Sequence, residues 1–407
     1  MAGTRRKDNK GRVLRSGESQ RKNNTYQYRY TDAFGTRRSV YAATLQELRE
    51  KEAEIEAYRA AHLDYASGNC SVIDLVERYT GLKQGVRYNT RVGYNFVTNI
   101  LKKDEFGRRR IRDIRVSDAQ LWFIRLQREG RGYSTITSIK GVLKPAFQMA
   151  CNEDILPKNP FLFNTTDVVI NNSRRRDAMT HEEQDIWMTF IRKDQTYRKY
   201  YDEFVVLLGT GMRVSEFCGL TLGDLDFKRR RIRVERQLVK ERNGRYYVEK
   251  TKTQIGRRYL PMTDEVCVSL QNIIRNRPEM EEEPEVDGYS GFLLIDKKQQ
   301  PKVALHIEND VRCAMKRFKK LNPDVKLPHI TPHVFRHTFC TNLANAGMNV
   351  KSLQYLMGHS DVGTTLNIYT HSSYDYAADQ LLKLVNNMPD GKMLNALNLT
   401  PNWRKMA

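Results

Sequence analysis

The 407-residue sequence predicts a mainly α-helical protein with small β-sheets, an α+β chain in successive parts. Three observations lead there. A strictly alternating stretch, Thr25-Tyr-Gln-Tyr-Arg-Tyr30, lies near the N-terminus, and apolar residues recur at helical spacing over most of the chain beyond residue 70. Only the segment from Ile232 to Pro261 returns to strand-like composition.

The alternation puts Tyr26, Tyr28 and Tyr30 on one face of a strand and Gln27 and Arg29 on the other. Asp32-Ala-Phe-Gly35 reads as a turn, and Thr36 to Tyr41, which carries Arg37 and Arg38, as the second strand of a hairpin. Thr44-Leu-Gln-Glu47 is a capping box that opens a helix to about Ala61, with Leu45, Leu48 and Ile55 as inward positions. The first part, residues 1–62, is therefore a small sheet backed by one helix. Residues 1–42 hold eleven Lys and Arg against three acids, so Arg29, Arg37 and Arg38 are candidate DNA contacts.

Residues 62–70 read as a linker and 70–165 as a helical domain of about four helices. Val72, Leu75, Val76 and Tyr79 share one helical face; Ser117-Asp-Ala-Gln120 reads as a cap; Ile139, Val142, Leu143, Ala146, Phe147 and Ala150 recur at helical spacing. Lys102 to Arg115, with seven basic residues against three acids, suits either a solvated loop or a phosphate contact. Pro157-Lys-Asn-Pro160 and Asn171 to Asp177 mark a second linker. The third part, 178–387, begins with the capping box Thr180-His-Glu-Glu183 and is helical apart from strands expected at 232–240, 246–249 and 257–261. A tail, 388–407, follows.

The net charge of +21 makes a polyanion the first partner to consider. With 40% hydrophobic and 29% charged residues the chain is of the soluble globular kind. No apolar run approaches the ~20 residues that span a bilayer, and the basic N-terminus lacks a secretory apolar stretch, so a cytoplasmic protein is expected. The six cysteines are scattered, without metal-ligand spacing, and read as reduced thiols. No phosphate-binding glycine loop of the G-x-x-x-x-G-K-[ST] type is present.

Four separated segments carry the chemistry: Thr210-Gly-Met-Arg-Val-Ser-Glu-Phe-Cys-Gly-Leu220; Lys250-Thr-Lys-Thr253 before Arg257-Arg-Tyr-Leu-Pro261; Thr331-Pro-His-Val-Phe-Arg-His-Thr338; and Leu356-Met-Gly-His-Ser-Asp361 running to Tyr369-Thr-His371. Thr331 can cap a helix with Pro332 at its first position, which sets His333 and Arg336 on one face at a helix start that favours an anion.

In these boxes the sequence resembles the tyrosine recombinases, the lambda-type phage integrases. The resemblance is close over 180 to about 380, and nearest to integrases of conjugative transposons or integrative conjugative elements. It implies a site-specific recombinase that integrates and excises a mobile element. Tyr369 would attack a DNA phosphodiester to form a 3′-phosphotyrosyl link, and exchange would pass through a Holliday junction. Arg213 and Arg336 would clamp the phosphate oxygens. Lys252 would protonate the leaving 5′-oxygen, with His333 and His359 assisting and Glu216 orienting Arg213. Spacing alone leaves Lys250 and Lys252 open, since they share a strand face; family position points to Lys252. His337 and His371 are expected to be structural. Neither a metal nor ATP is implied, and no cofactor.

The resemblance further implies an arm-type DNA-binding domain at 1–62, a core-binding domain at 70–165 and a catalytic domain at 178–387. Its partners would be double-stranded DNA at core-type and arm-type sites, three further copies forming a tetramer on two duplexes, and an excisionase or DNA-bending accessory protein. The tail at 388–407 would pack either on its own domain or on a neighbouring copy, the second favoured by the family. A type IB topoisomerase shares the chemistry but has no use for the basic N-terminal part. A DNA-binding regulator derived from a recombinase would not retain Tyr369 with all its helpers.

Overall fold

The computed structural model describes residues 6–32, 35–60, 63–173, 178–251 and 256–369, with side chains as far as residue 366. The chain divides into two compact units, 1–174 and 175–407. Among the described residues no helix is long and apolar enough to cross a membrane.

In the first unit β1 (Glu18–Gln20), β2 (Tyr26–Thr31) and β3 (Arg37–Ala42) form an antiparallel sheet in that order, followed by α1 (Leu45–Ala60). Tyr26 and Tyr28 bury against Leu45, Leu48 and Ile55 as the alternation requires. β1 adds a third strand to the expected hairpin, too short for a period to show. The Thr44 hydroxyl accepts from the Glu47 amide at 3.2 Å, so Thr44 caps the helix, while the Glu47 carboxylate reaches back one residue further than a capping box requires, to the Ala43 amide at 3.2 Å.

The opposite face of the sheet follows from the register. Gln27 faces Tyr41, Arg29 faces Ser39 and Thr31 faces Arg37, so Arg29 and Arg37 stand together on the outward side. Arg21 lies 5.2 Å over the Tyr41 ring. Arg38 faces Tyr30 instead and pairs with Asp32 at 3.1 Å, which takes it off that surface.

A second core in this unit is enclosed by α2 (Val72–Gly81), α3 (Tyr88–Lys103), α4 (Glu105–Arg108), α5 (Val116–Arg128) and α6 (Tyr133–Asn152). Three expectations change here. The stretch 62–70 is packed where it is described: the Asp64 amide donates to the Asp154 carbonyl at 2.9 Å, and the buried Tyr65 ring lies 4.2 Å beneath the Arg112 guanidinium. Ser117 does not cap, because α5 has already begun at Val116, and the Asp118 carboxylate accepts from the Arg115 amide at 2.8 Å. Beyond Pro157, Phe161 is fully buried among Phe106, Phe123 and Phe147, so that segment closes the core rather than leaving it. In the charged stretch before α5, Phe106 stacks on Trp122 at 4.2 Å and Ile111 is buried, which makes it a packed corner.

The second unit runs α7 (His181–Lys193), α8 (Tyr201–Thr210), α9 (Val214–Cys218), β4 (Leu225–Asp226), β5 (Arg231–Val234), β6 (Arg236–Lys240), β7 (Tyr246–Lys250), β8 (Arg258–Pro261), α10 (Asp264–Arg275), α11 (Ala304–Leu321), α12 (Pro332–Asn345), α13 (Val350–Met357) and α14 (Val362–Tyr369). Its core is built on Trp187, Phe204, Phe217, Phe318 and Phe335. The strand expected over 232–240 is two strands in two sheets: β5 lies between β4 and β8, while β6, among the described residues, pairs with β7 alone. Ile232, Val234, Arg236 and Leu238 are all buried, so the period of two runs unbroken across Glu235 and conceals the change of partner. Arg236 buries by pairing with Asp224 and donating to the Thr221 hydroxyl at 2.9 Å.

Candidate active site

The site is assembled at the ends of short helices. α8 ends on Gly211, whose φ of 60° is the left-handed conformation that glycine adopts without penalty. A Cβ there would come within 2.2 Å of the Phe339 ring. The turn delivers Arg213 to the residue before α9. There its amide donates to Glu216 Oε2 at 2.9 Å and its Nη1 to Glu216 Oε1 at 2.8 Å. Arg336 lies one turn into α12, whose start is fixed by the Thr331 hydroxyl accepting from the Val334 amide at 3.3 Å and by Pro332 at the first position.

α13 ends on a second left-handed glycine, Gly358 (φ 61°). Three consecutive carbonyls at this end, which would otherwise lack helical partners, each accept from a different guanidinium. Arg258 Nε donates to Leu356 O at 2.7 Å, Arg336 Nη2 to Met357 O, and Arg213 Nη2 to Gly358 O at 3.2 Å. Arg336 Nη1 also donates to Gly211 O at 2.7 Å. Arg258 grips Glu216 with both arms, Nη1 to Oε1 at 3.2 Å and Nη2 to Oε2 at 2.8 Å.

Three guanidiniums thus converge on one helix C-terminus and two of them, Arg213 and Arg258, on one carboxylate, which leaves a net positive cluster. Burial alone would raise the Glu216 carboxyl, but hydrogen bonds and charge from Arg258, with Arg213 and Arg336, hold it down at about 2. Arg336 is pushed down to about 9, by burial first and the Arg213 charge second; it stays charged at neutral pH. Such a cation is stabilised by any anion that reaches it.

An anion has a way in. An open cleft of about 510 Å³ is lined by Arg213, Arg336, His333 and His329, and by Leu305, Glu308 and Arg312 of α11. His333 is exposed at the start of α12. His359, one residue past Gly358, is half-buried, with its Nδ1 3.0 Å from the Thr365 hydroxyl. Burial, and then the charges of Arg336, Arg213 and Arg258, push it down to about 4, so its ring is neutral at pH 7.

The second unit therefore brings together Arg213, Glu216, His333, Arg336 and His359. The Tyr369 backbone is the last residue of α14; its side chain, Lys252, His62, His371 and the tail at 388–407 lie outside the described residues. Lys250 ends β7, opposite Arg236. His337 Nδ1 is 3.2 Å from the Thr341 hydroxyl on its own helix. Among the described residues no three His, Cys, Asp or Glu side chains stand close enough to hold a metal, and all six cysteines are free. Arg258, His329 and Thr365 do not stand out in the sequence as site residues. For Arg258 a signal exists: in a strand it shares a face with Leu260, an inward position.

Comparison with known proteins bears on this geometry. The phage integrase family matches residues 177–375, and the DNA-binding domain of Tn916 integrase matches residues 2–58. The chain is 40% identical to the transposase from transposon Tn1545 of Streptococcus agalactiae serotype V, over 93% of this chain and 96% of that one. A structure of the Tn1549 transposon integrase in complex with a circular intermediate DNA covers 77% of this chain and 99% of its own, at 38% identity and a TM-score of 0.74. Lambda integrase, as a tetramer bound to a Holliday junction, shares the fold at a TM-score of 0.51 and 16% identity, over 88% of this chain and 95% of that one.

Proposed function

The chain belongs to the phage integrase family, and on that premise we propose that it recombines DNA at specific sites by metal-independent, ATP-independent transesterification through a 3′-phosphotyrosyl intermediate and a Holliday junction. The Tyr369 oxygen attacks the scissile phosphorus and the 5′-oxygen leaves. The new phosphotyrosyl bond keeps the energy needed for rejoining, so no nucleotide is consumed.

The observation that carries this reading is the arginine cluster, held by carbonyls and by Glu216, that opens onto the cleft. Arg213 and Arg336 are already fixed by carbonyls and by Glu216, so they meet the charge that grows on the phosphate oxygens without first reorganising. His333, at the helix start, assists proton transfer. His359 is neutral, and a Thr365 hydroxyl donating to Nδ1 leaves Nε2–H to donate to a phosphate oxygen. Lys252 is the acid for the leaving 5′-oxygen.

In this reading the sheet of 1–62 binds arm-type sites through Arg29 and Arg37, 70–165 grips core-type DNA, and 178–387 carries the chemistry. The working assembly is four copies on two duplexes in the bacterial cytoplasm, coupled by residues 388–407 docking on a neighbouring copy. An excisionase or a DNA-bending protein sets the direction.

The test is a suicide duplex whose cut strand loses a short 5′-hydroxyl fragment, which traps the covalent adduct. Adduct is expected with wild type in EDTA and none with Tyr369→Phe. A 5′-bridging phosphorothiolate, whose leaving group needs no proton, should restore cleavage to Lys252→Ala and not to Arg213→Ala. An adduct formed by Tyr369→Phe would overturn the assignment.

A further inference from the structure

We propose that Arg258 is a positioning residue of the cleavage reaction, the buried tie that sets Arg213 and the segment carrying His359 in register with one another. The inference rests on the function proposed above.

Arg258 differs from the two arginines beside it. Arg213 is 41% exposed at its side chain and Arg336 lines the same cleft, whereas the Arg258 side chain has no exposed surface and no place in the cleft wall. It cannot touch a bound phosphate. Its contacts run instead to what holds the others. Both arms close on Glu216, the carboxylate that holds Arg213 by its amide and its guanidinium. Its Nε holds Leu356 O, at the start of the carbonyl run that also receives Arg336 and Arg213 and ends one residue before His359. Nη1 also donates to Gly256 O at 3.2 Å, four residues after Lys252.

Geometry enforces the arrangement from the other side. A Cβ on Gly358 would come within 2.8 Å of Arg258 Nη1, so the glycine that ends α13 also makes room for the guanidinium. A buried ion pair is poor ground for stability, because desolvation offsets much of the attraction. What the fork supplies is direction. It holds a carboxylate and a carbonyl at angles that only a planar guanidinium satisfies together, so Lys would keep the charge and lose the register.

The test compares adduct formation in single turnover by the full chain on two suicide duplexes. One has the natural phosphate; the other has a methylphosphonate at the scissile position, in which a neutral methyl replaces one charged oxygen. A neutral centre has less need of an aligned arginine clamp. Arg258→Lys is expected to slow cleavage of the phosphate by roughly 10- to 100-fold, and of the methylphosphonate by less than about threefold, with single-site DNA binding retained. A merely structural loss would slow both substrates equally and would overturn the proposal, as would an unchanged rate on the phosphate. Should Arg258→Lys fold poorly, Glu216→Gln combined with Arg258→Met removes the buried pair, and Glu216→Gln alone is the control for Arg213, which loses the same carboxylate. The same substrate-dependent loss is expected of the double variant, and wild-type cleavage by it would sink the idea. Failure of wild type itself to form adduct would count against the proposed function and not against Arg258.

Discussion

On the N-terminal sheet Arg29 and Arg37 stand outward in solvent, whereas in the second unit Arg213, Arg258 and Arg336 turn inward onto carbonyls and a single carboxylate. The same side chain meets opposite physics. An exposed guanidinium attracts phosphate over a Debye length of roughly 10 Å, yields to salt, and takes its geometry from what it binds. A withdrawn one acts over a single contact at lower dielectric, and its geometry is set before any ligand arrives. Affinity for DNA and the chemistry on DNA can therefore be changed separately.

The largest effect expected from that contrast lies in the cleft. Arg213→Lys and Arg336→Lys should each lower the cleavage rate by about 100- to 1,000-fold, as for loss of one preorganised anion donor. Duplex binding should stay within a few fold, read in parallel by adduct formation and gel shift. A rate near wild type in either variant would place these arginines with those of the sheet.

Next in size is a backbone effect with no counterpart in the sheet. Gly211→Ala forces a side chain into left-handed φ and against Phe339 while its carbonyl still has to receive Arg336. Destabilisation of about 1–3 kcal/mol is expected in urea unfolding. A neutral result would show that the turn is softer than its geometry implies.

A smaller effect belongs to the sheet. Arg29→Ala with Arg37→Ala should weaken binding to arm-type DNA and flatten its dependence on log salt by about one unit for each phosphate that is no longer neutralised. Core-site cleavage should be unaltered. Equal weakening at both classes of site would dissolve the distinction between the two regions.

The smallest is a pH effect. The folded chain holds His359 down at about 4 against an ordinary 6.5, so between those values the unfolded chain takes up the proton first. The contribution of this ring to the stability of the second unit is therefore expected to be full above pH 6.5 and to fall as pH drops toward 4. His359→Gln should reduce the slope of that fall by up to one proton, measured as urea midpoint against pH.

Legibility follows the reach of each signal. Local rules serve well where the partner lies within one turn or one strand: Thr44, Thr180 and Thr331 cap as their spacing indicates, and the tyrosines of β2 face inward. Arg213, His333 and Arg336 are recognisable by motif and meet in one cleft. What stays hidden depends on residues distant in the chain. The break at Glu235 leaves the alternation intact, and Tyr65 buries under an arginine 47 positions on, which no local pattern encodes. Arg258 looks like one more cation in a basic strand, because its partners Glu216 and Leu356 lie 42 and 98 residues away.

The run of carbonyls at the end of α13 also orders events in time. Its contacts join residues 145, 98 and 21 positions apart, and all three need a segment near the end of the described chain. During synthesis the basic sheet emerges and can fold first, since its contacts are short in sequence. Arg213 and Arg336 find their acceptors on this run only after residues 357 and 358 have been made. In the proposed reading a growing polypeptide acquires its attraction for DNA well before it acquires a working cutting centre, and an incomplete chain on the ribosome is a harmless ligand rather than a nuclease.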